Sequence, residues 1–162
     1  MSIQRILSGG QTGVDRAALD FAIARQIPHG GWCPAGRRAA DGVLDARYQL
    51  LETESSGYRQ RTKRNVEDSD GTLVLNLGEL ADGSLLTLEY AERIGRPALA
   101  VALEEGDADA QVHEVLAWLE ANDIQALNIA GPREAKRPGT YARVLEFLER
   151  LDAVNDRLQR KR

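Results

Sequence analysis

The sequence is short of cysteine. Cys33 is the one cysteine in 162 residues, so an internal disulfide and an all-cysteine zinc site are both excluded. A reducing cytoplasm is the expected compartment. Long apolar runs are also missing. The longest fall far short of the roughly 20 residues that a membrane span needs, so no membrane partner is expected. The first residues are polar and reach Arg5 at once, so no secretory signal is expected. Charge of one sign is not in large excess. Twenty-one basic and 25 acidic residues give a net charge of −4, which argues against a nucleic-acid partner and leaves room only for a local basic patch. The two histidines, His29 and His113, stand too far apart to argue metal binding, and no metal site is expected. There is no internal repeat and no low-complexity segment. What remains is an ordinary globular composition, 43% hydrophobic and 28% charged, of a length that suits one domain spanning 1–162. Its 15 glycines fall in clusters.

The chain reads as strand, glycine loop and helix, repeated. Ile3–Leu7 is a short apolar strand ending at Ser8-Gly9-Gly10. After Gly13, Val14, Ala18, Phe21, Ala22 and Ile23 lie mostly on one helical face, with Asp15 and Arg16 on its polar side. That helix stops before Pro28. His29 to Arg37 reads as a short strand entering a loop. Residues 38–57 are polar, turn-rich and without a period, which predicts a long surface loop. Tyr58–Asp68 reads as a short basic helix, and Thr72–Leu77 as a buried strand. A helix from about Ser84 to Ile94 is stopped by Gly95 and Pro97. Ala98–Leu103 is a fourth strand. Val112, Val115, Leu116 and Leu119 mark an amphipathic helix, Ala126–Ala130 a fifth strand, and Val144 to Leu158 a last long helix. Strands alternating with helices imply an α/β fold, a mainly parallel sheet with helices on both faces. Ligands of such open sheets sit beyond the carboxyl ends of the strands. That places the chemistry at Ser8–Arg16, Cys33–Arg37, Asn76–Thr87 and Gly131–Glu134.

Ser8-Gly9-Gly10-Gln11-Thr12-Gly13-Val14-Asp15-Arg16 is the strongest feature. Glycines let backbone approach a ligand, and the helix that follows aims N–H groups and partial positive charge at the loop. Gly9, Gly10, Gln11, Thr12 and Gly13 are therefore expected to seat a phosphate or oxyanion. The loop lacks the Gly-Lys-Ser/Thr of a P-loop and is not a full G-x-G-x-x-G. Arg16 would reach the same anion or make a surface salt bridge. In Gly31-Trp32-Cys33-Pro34-Ala35-Gly36-Arg37, Pro34 and Gly36 fix the loop. Trp32 offers either a flat face to a ring or a core aromatic, and Arg37 a forked donor. Cys33 would be a nucleophile, a soft-metal ligand or a buried small hydrophobe; no His–Asp pair nearby suggests activation. Helical spacing puts Tyr58, Arg61, Thr62 and Asn65 on one face, with Arg59 and Lys63 elsewhere, so that polar face reads as a ligand wall or a solvated surface. Gly83, Ser84 and Thr87 open the next helix, as a second donor group or an ordinary cap.

These motifs, with Tyr-x-x-Arg-Thr-x-x-Asn-Val and the late Ala-Gly-Pro-Arg-Glu, resemble the molybdenum cofactor carrier protein family over roughly residues 3–150. That family is similar in turn to the lysine decarboxylase-like phosphoribohydrolases. The resemblance implies a homo-oligomeric, dimeric or tetrameric, Rossmann-like subunit. It implies a small phosphorylated ligand as partner, with the molybdenum cofactor (molybdopterin) as bound cargo, or else a nucleotide or a free oxyanion. Arg16, Arg37 and Arg61 would neutralise the anion, Trp32, Tyr58 and Asn65 would contact the organic part, and Ser84 with Thr87 would close the far side. The related hydrolases carry Gly-Gly-x-Gly-Thr-x-x-Glu where this sequence has Asp82-Gly83-Ser84-Leu85-Leu86-Thr87, so Thr87 stands at the place of their glutamate. Glu89 lies about 200° further round the helix. Threonine cannot do a carboxylate's acid–base work, which favours binding over hydrolysis and assigns no catalytic residue. The alternatives are a nucleotide hydrolase using Asp15, Asp70 or Asp82, and a nucleotide sensor.

Overall fold

A computed structural model describes residues 3–80 and 82–162. Five strands form the central sheet: β1 (Arg5–Leu7), β2 (His29–Gly30), β7 (Gly71–Asn76), β8 (Ala98–Ala102) and β9 (Ala126–Ala130). Between β2 and β7 lie four two-residue strands, β3 (Trp32–Cys33), β4 (Arg38–Ala39), β5 (Gly42–Val43) and β6 (Leu51–Glu52). The helices are α1 (Val14–Ala24), α2 (Tyr58–Asp68), α3 (Asp82–Ile94), α4 (Ala108–Ala121) and α5 (Thr140–Arg160).

Every pairing in the main sheet is parallel, and the order is β2-β1-β9-β7-β8. The register sets Ile6 against Leu127 and Leu73 against Ile129. All six residues of β7 are buried, as expected of a strand covered on both faces. α1 packs on α5 and α5 on α4 across one face, while α2 packs on α3 across the other. This is the α/β arrangement expected from the sequence. α1 turns Val14, Ala17, Ala18, Phe21 and Ala22 inward at helical spacing, and its alanines let it lie close to the sheet. α5 buries Val144, Phe147, Leu148, Leu151 and Val154 in the same core. No helix among the described residues is long and apolar enough to cross a membrane.

The strand order has a simple structure. Counted from β9, the succession β9, β1, β2, β7, β8 lies in the sheet as 3-2-1-4-5, the order of a Rossmann-like doubly wound sheet. The strand that comes first in that count stands last in this chain. The order reverses between β9 and β7, and that reversal opens a crevice at their carboxyl ends.

Residues 38–57 differ from the expected surface loop. β4 and β5 form an antiparallel hairpin and β6 pairs in parallel with β3. Ala39, Leu44, Tyr48 and Leu50 are buried with Leu19 and Cys33 in a second small core. Their irregular spacing follows an irregular backbone, so no period announced them.

Candidate functional site

A cavity of about 270 Å³ opens at the reversal point. Its floor is the ends of β7 and β9, Asn76-Leu77 and Ala130 to Arg133. Gln11 and Asp15, which follow β1, form one wall. Tyr58, Arg59, Arg61 and Thr62 of α2 form another, and the start of α3 from Asp82 to Thr87 a third. Five cationic side chains line it, Arg59, Arg61, Arg133, Lys136 and Arg137, against three acidic ones, Asp15, Glu79 and Asp82.

The cations are not equivalent. Arg61 lies half-buried on the glycine loop, 3.4 Å from Asp15, and a Cβ on Gly9 would lie 2.3 Å from its guanidinium. A side chain at Gly9 would therefore displace that guanidinium. Arg61 Nε is fully buried without a partner among the described residues. Lys136 pairs with Asp82, which holds that carboxyl below its usual range. Arg137 donates to the Leu77 carbonyl at 3.1 Å and so braces the end of β7. Arg59 and Arg133 are exposed on the rim; neither side chain makes a hydrogen bond or close ion pair among the described residues, and Arg133 acts on Asp82 only at longer range.

Asp15 is the one acidic group enclosed in the wall. It is 3% exposed, accepts from the Gln11 N–H at 3.2 Å, and faces Arg61. Burial raises its carboxyl above the ordinary range, with Arg61, the Gln11 N–H and Arg16 pulling the other way.

The glycine loop is built differently from the expected N–H cradle. The N–H of Gly10 goes to Ser8 Oγ, that of Gln11 to Asp15, that of Thr12 to Gln11 Oε1, and that of Val14 to the Pro132 carbonyl. Gly13 has φ +82°, and a Cβ there would meet Pro132 O at 2.4 Å. Thr12 Oγ1 accepts from the Glu134 N–H at 3.3 Å. The loop thus locks onto the turn after β9, and what it offers the cavity is the Gln11 side chain and the arginine lying across it.

Of the residues expected at the site, the structure gathers Gln11, Tyr58, Arg61, Thr62, Gly83, Ser84 and Thr87 around the cavity. The rest lie outside it. Arg16 makes the salt bridge, to Asp41 at 2.9 Å, and also donates to the Gly10 carbonyl. Arg37 is turned back on its own loop and donates to the carbonyls of Asp45 and Tyr48. Trp32 donates from Nε1 to Asp68, and Arg64 lies over its ring at 4.6 Å. Asn65 holds the backbone of Trp32 at both N–H and carbonyl. Cys33 is buried in the second core, and Gly36 faces open space at φ +80°. Gly10, beneath Leu44, packs that core against the loop. The tyrosine expected to meet an organic ring has Arg38 and Arg61 over its own.

Arg59, which helical spacing sets apart from the face of Tyr58, Arg61 and Thr62, lines the cavity with them, because the cavity opens beside the start of α2 and takes in a side chain from its edge; Asn76 and Lys136 also line it and are not among the expected site residues. Asn76 stood at the edge of a segment already expected to carry chemistry, immediately after a buried strand. Thr87 is buried and donates to the Gly83 carbonyl at 2.7 Å, while Glu89 is exposed and away from the cavity. Asp70 accepts from the N–H groups of Gln125 and Ala126, starting β9, and does not line the cavity. Among the described residues no cluster of three or more His, Cys, Asp or Glu could hold a metal ion.

The model of the circularly permutated YpsA SLOG family matches residues 6–152. The permuted strand order agrees with that description. A solved structure named "Putative molybdenum carrier protein", from Syntrophus aciditrophicus SB, is 47% identical, with a TM-score of 0.89 over 91% of this chain and 94% of that one. No curated protein matches.

Proposed function

We propose that this chain, which belongs to the circularly permutated YpsA SLOG family, is a carrier that binds a small phosphorylated ligand without transforming it. The cargo we assign is the molybdenum cofactor, molybdopterin, and the carrier acts as a cytoplasmic homo-oligomer. The observation that carries this reading is the cationic cavity at the strand reversal. Two exposed arginines on its rim, Arg59 and Arg133, have no hydrogen bond or close ion pair among the described residues, and the start of α3 brings partial positive charge to the same space. Arginine suits phosphate and metal-oxo oxygens alike, by charge and by its paired donors. At about 270 Å³ the cavity is just under the usual size of a small-molecule site, so a ligand that fills it reaches the rim arginines. The name of the similar solved structure agrees with a molybdenum-bearing cargo. Thr87, buried and bonded to its own helix, offers no acid or base.

The test is what the protein carries when purified untreated. Mass spectrometry and elemental analysis should find a phosphorylated pterin and molybdenum in step with protein. A different organic phosphate without molybdenum would replace the cargo, and an empty protein that binds no anion in calorimetry would refute the reading.

Asp15 supports a second reading. A buried carboxyl of raised pKa inside a cavity is the kind of group that does acid–base work. In that case the protein hydrolyses nucleoside monophosphates. Free base released by the native protein, and lost in Asp15→Asn, would establish it.

A further inference from the structure

Two primary amides line the cavity, and the backbone has fixed which end of each faces in. Asn76, 4% exposed at the end of β7, donates from Nδ2 to the Gly78 carbonyl at 2.8 Å. Its Oδ1 has no partner among the described residues. Gln11, 7% exposed, accepts through Oε1 from the N–H groups of Thr12 at 2.9 Å and Ala40 at 2.8 Å. Its Nε2 has no partner among the described residues. Turning either amide over would set donor against donor or acceptor against acceptor. Neither free end is sealed in, because Arg61 Nε is the fully buried side-chain polar atom left unpaired among the described residues.

Gln11 thus presents a donor, which suits an oxyanion. Asn76 presents an acceptor, which does not. Two more acceptors line the same cavity. Thr62 and Thr87 give their hydroxyl hydrogens to the carbonyls of Tyr58 and Gly83, four residues back, and leave lone pairs toward the cavity they line. A ligand that is only an oxyanion, seated toward Gln11 and Arg61, leaves these oxygens without a donor. One that also carries hydrogen-bond donors is matched at both ends. β9 separates the strands that lead to Gln11 and Asn76, so the two sites stand on strands about 10 Å apart. One ligand can lie across the end of β9 with its anion toward Gln11 and Arg61.

We propose that Asn76 selects an organic phosphate over a bare oxyanion, its Oδ1 accepting from an N–H or O–H that the ligand itself carries. This rests on the carrier reading and narrows it.

The experiment is calorimetry at pH 8 with three probes, on the native protein, Asn76→Leu and Asn76→Ala. Molybdate and phenyl phosphate carry no donor at that pH, since a phosphate monoester loses its second proton near 6. Guanosine 5′-monophosphate carries several. The native protein should bind the nucleotide more tightly than phenyl phosphate. Both variants should lose about tenfold in nucleotide affinity, as for a donor left unpaired, and stay within about twofold for the other two probes. Thermal melts of each variant check the turn at Gly78. If both variants fail to fold, the native comparison of nucleotide with phenyl phosphate decides alone. Equal losses for all three probes, or no native preference for the nucleotide, would overturn the role of Asn76 and leave the carrier reading standing. No binding of any probe overturns both.

Discussion

Replacing Arg61 by methionine keeps an unbranched apolar stem, shortens the side chain and removes its charge. It leaves Asp15 in the wall with the Gln11 N–H as its close partner. The pair it breaks is nearly dry, with side chains 12% and 4% exposed. Removing one partner of such a pair costs about 3–5 kcal/mol, because the other charge stays buried. Here the contact is a single one at 3.4 Å, and the Gln11 N–H remains, so about 3 kcal/mol at pH 7 is expected. The sign with pH follows from burial. The folded-state pKa of Asp15 already lies above its ordinary value, and loss of Arg61 raises it further. The folded protein then holds a proton that the unfolded chain has released, so stability falls as pH rises from about 4 to the new pKa. The slope approaches ~1.4 kcal/mol per pH unit there. Urea unfolding at pH 5, 6, 7 and 8 measures it. Arg61→Met should lose least at pH 5 and most at pH 8, and Asp15→Asn added to it should return about 2 kcal/mol and flatten the slope. A variant within 1 kcal/mol of the native protein at every pH would show that Asp15 is solvated in a way the buried geometry does not allow.

Other outcomes follow from single contacts. Gly13→Ala forces a left-handed backbone and sets a methyl against Pro132 O, and should cost about 3 kcal/mol or more in denaturant unfolding. Arg59→Ala and Arg133→Ala, at exposed positions on the rim, should leave stability within about 0.5 kcal/mol yet weaken anion binding, with a smaller salt dependence in calorimetry. Tyr141 donates to Asp20 at 2.5 Å, and burial with that bond pushes its hydroxyl up to about 12. Tyr141→Phe should therefore cost about 1.5–3 kcal/mol. Burial also pushes the Cys33 thiol up, so iodoacetamide should modify it slowly in the native protein and at once in denaturant.

The parts of the fold legible in the sequence are those with a period or a plain boundary. Tyr58–Asp68 and Ala126–Ala130 run in the structure where charge pattern and glycine punctuation place them. The rim was legible in the same way, because glycines mark where strands stop. Partners were not legible. Arg16, Arg37 and Arg61 look alike as letters, yet one meets Asp41, one meets carbonyls of its own loop, and one reaches the cavity. Which arginine finds a carboxylate depends on the hairpin that brings Asp41 across, in a stretch without a period. The order of strands was hidden too, since nothing local tells β1 that its neighbour is β9, some 120 residues away.

That late neighbour ties the sheet to the site. β9 is the keystone of the sheet, with β1–β2 on one side and β7–β8 on the other. It alone pairs with both β1 and β7 among the described strands, so without it the sheet divides into two halves. The same strand ends in Ala130 to Arg133 at the cavity floor, and its turn at Pro132 takes the N–H of Val14 beyond the glycine loop. A change that loosens β9 therefore reaches the sheet, the floor and the loop together.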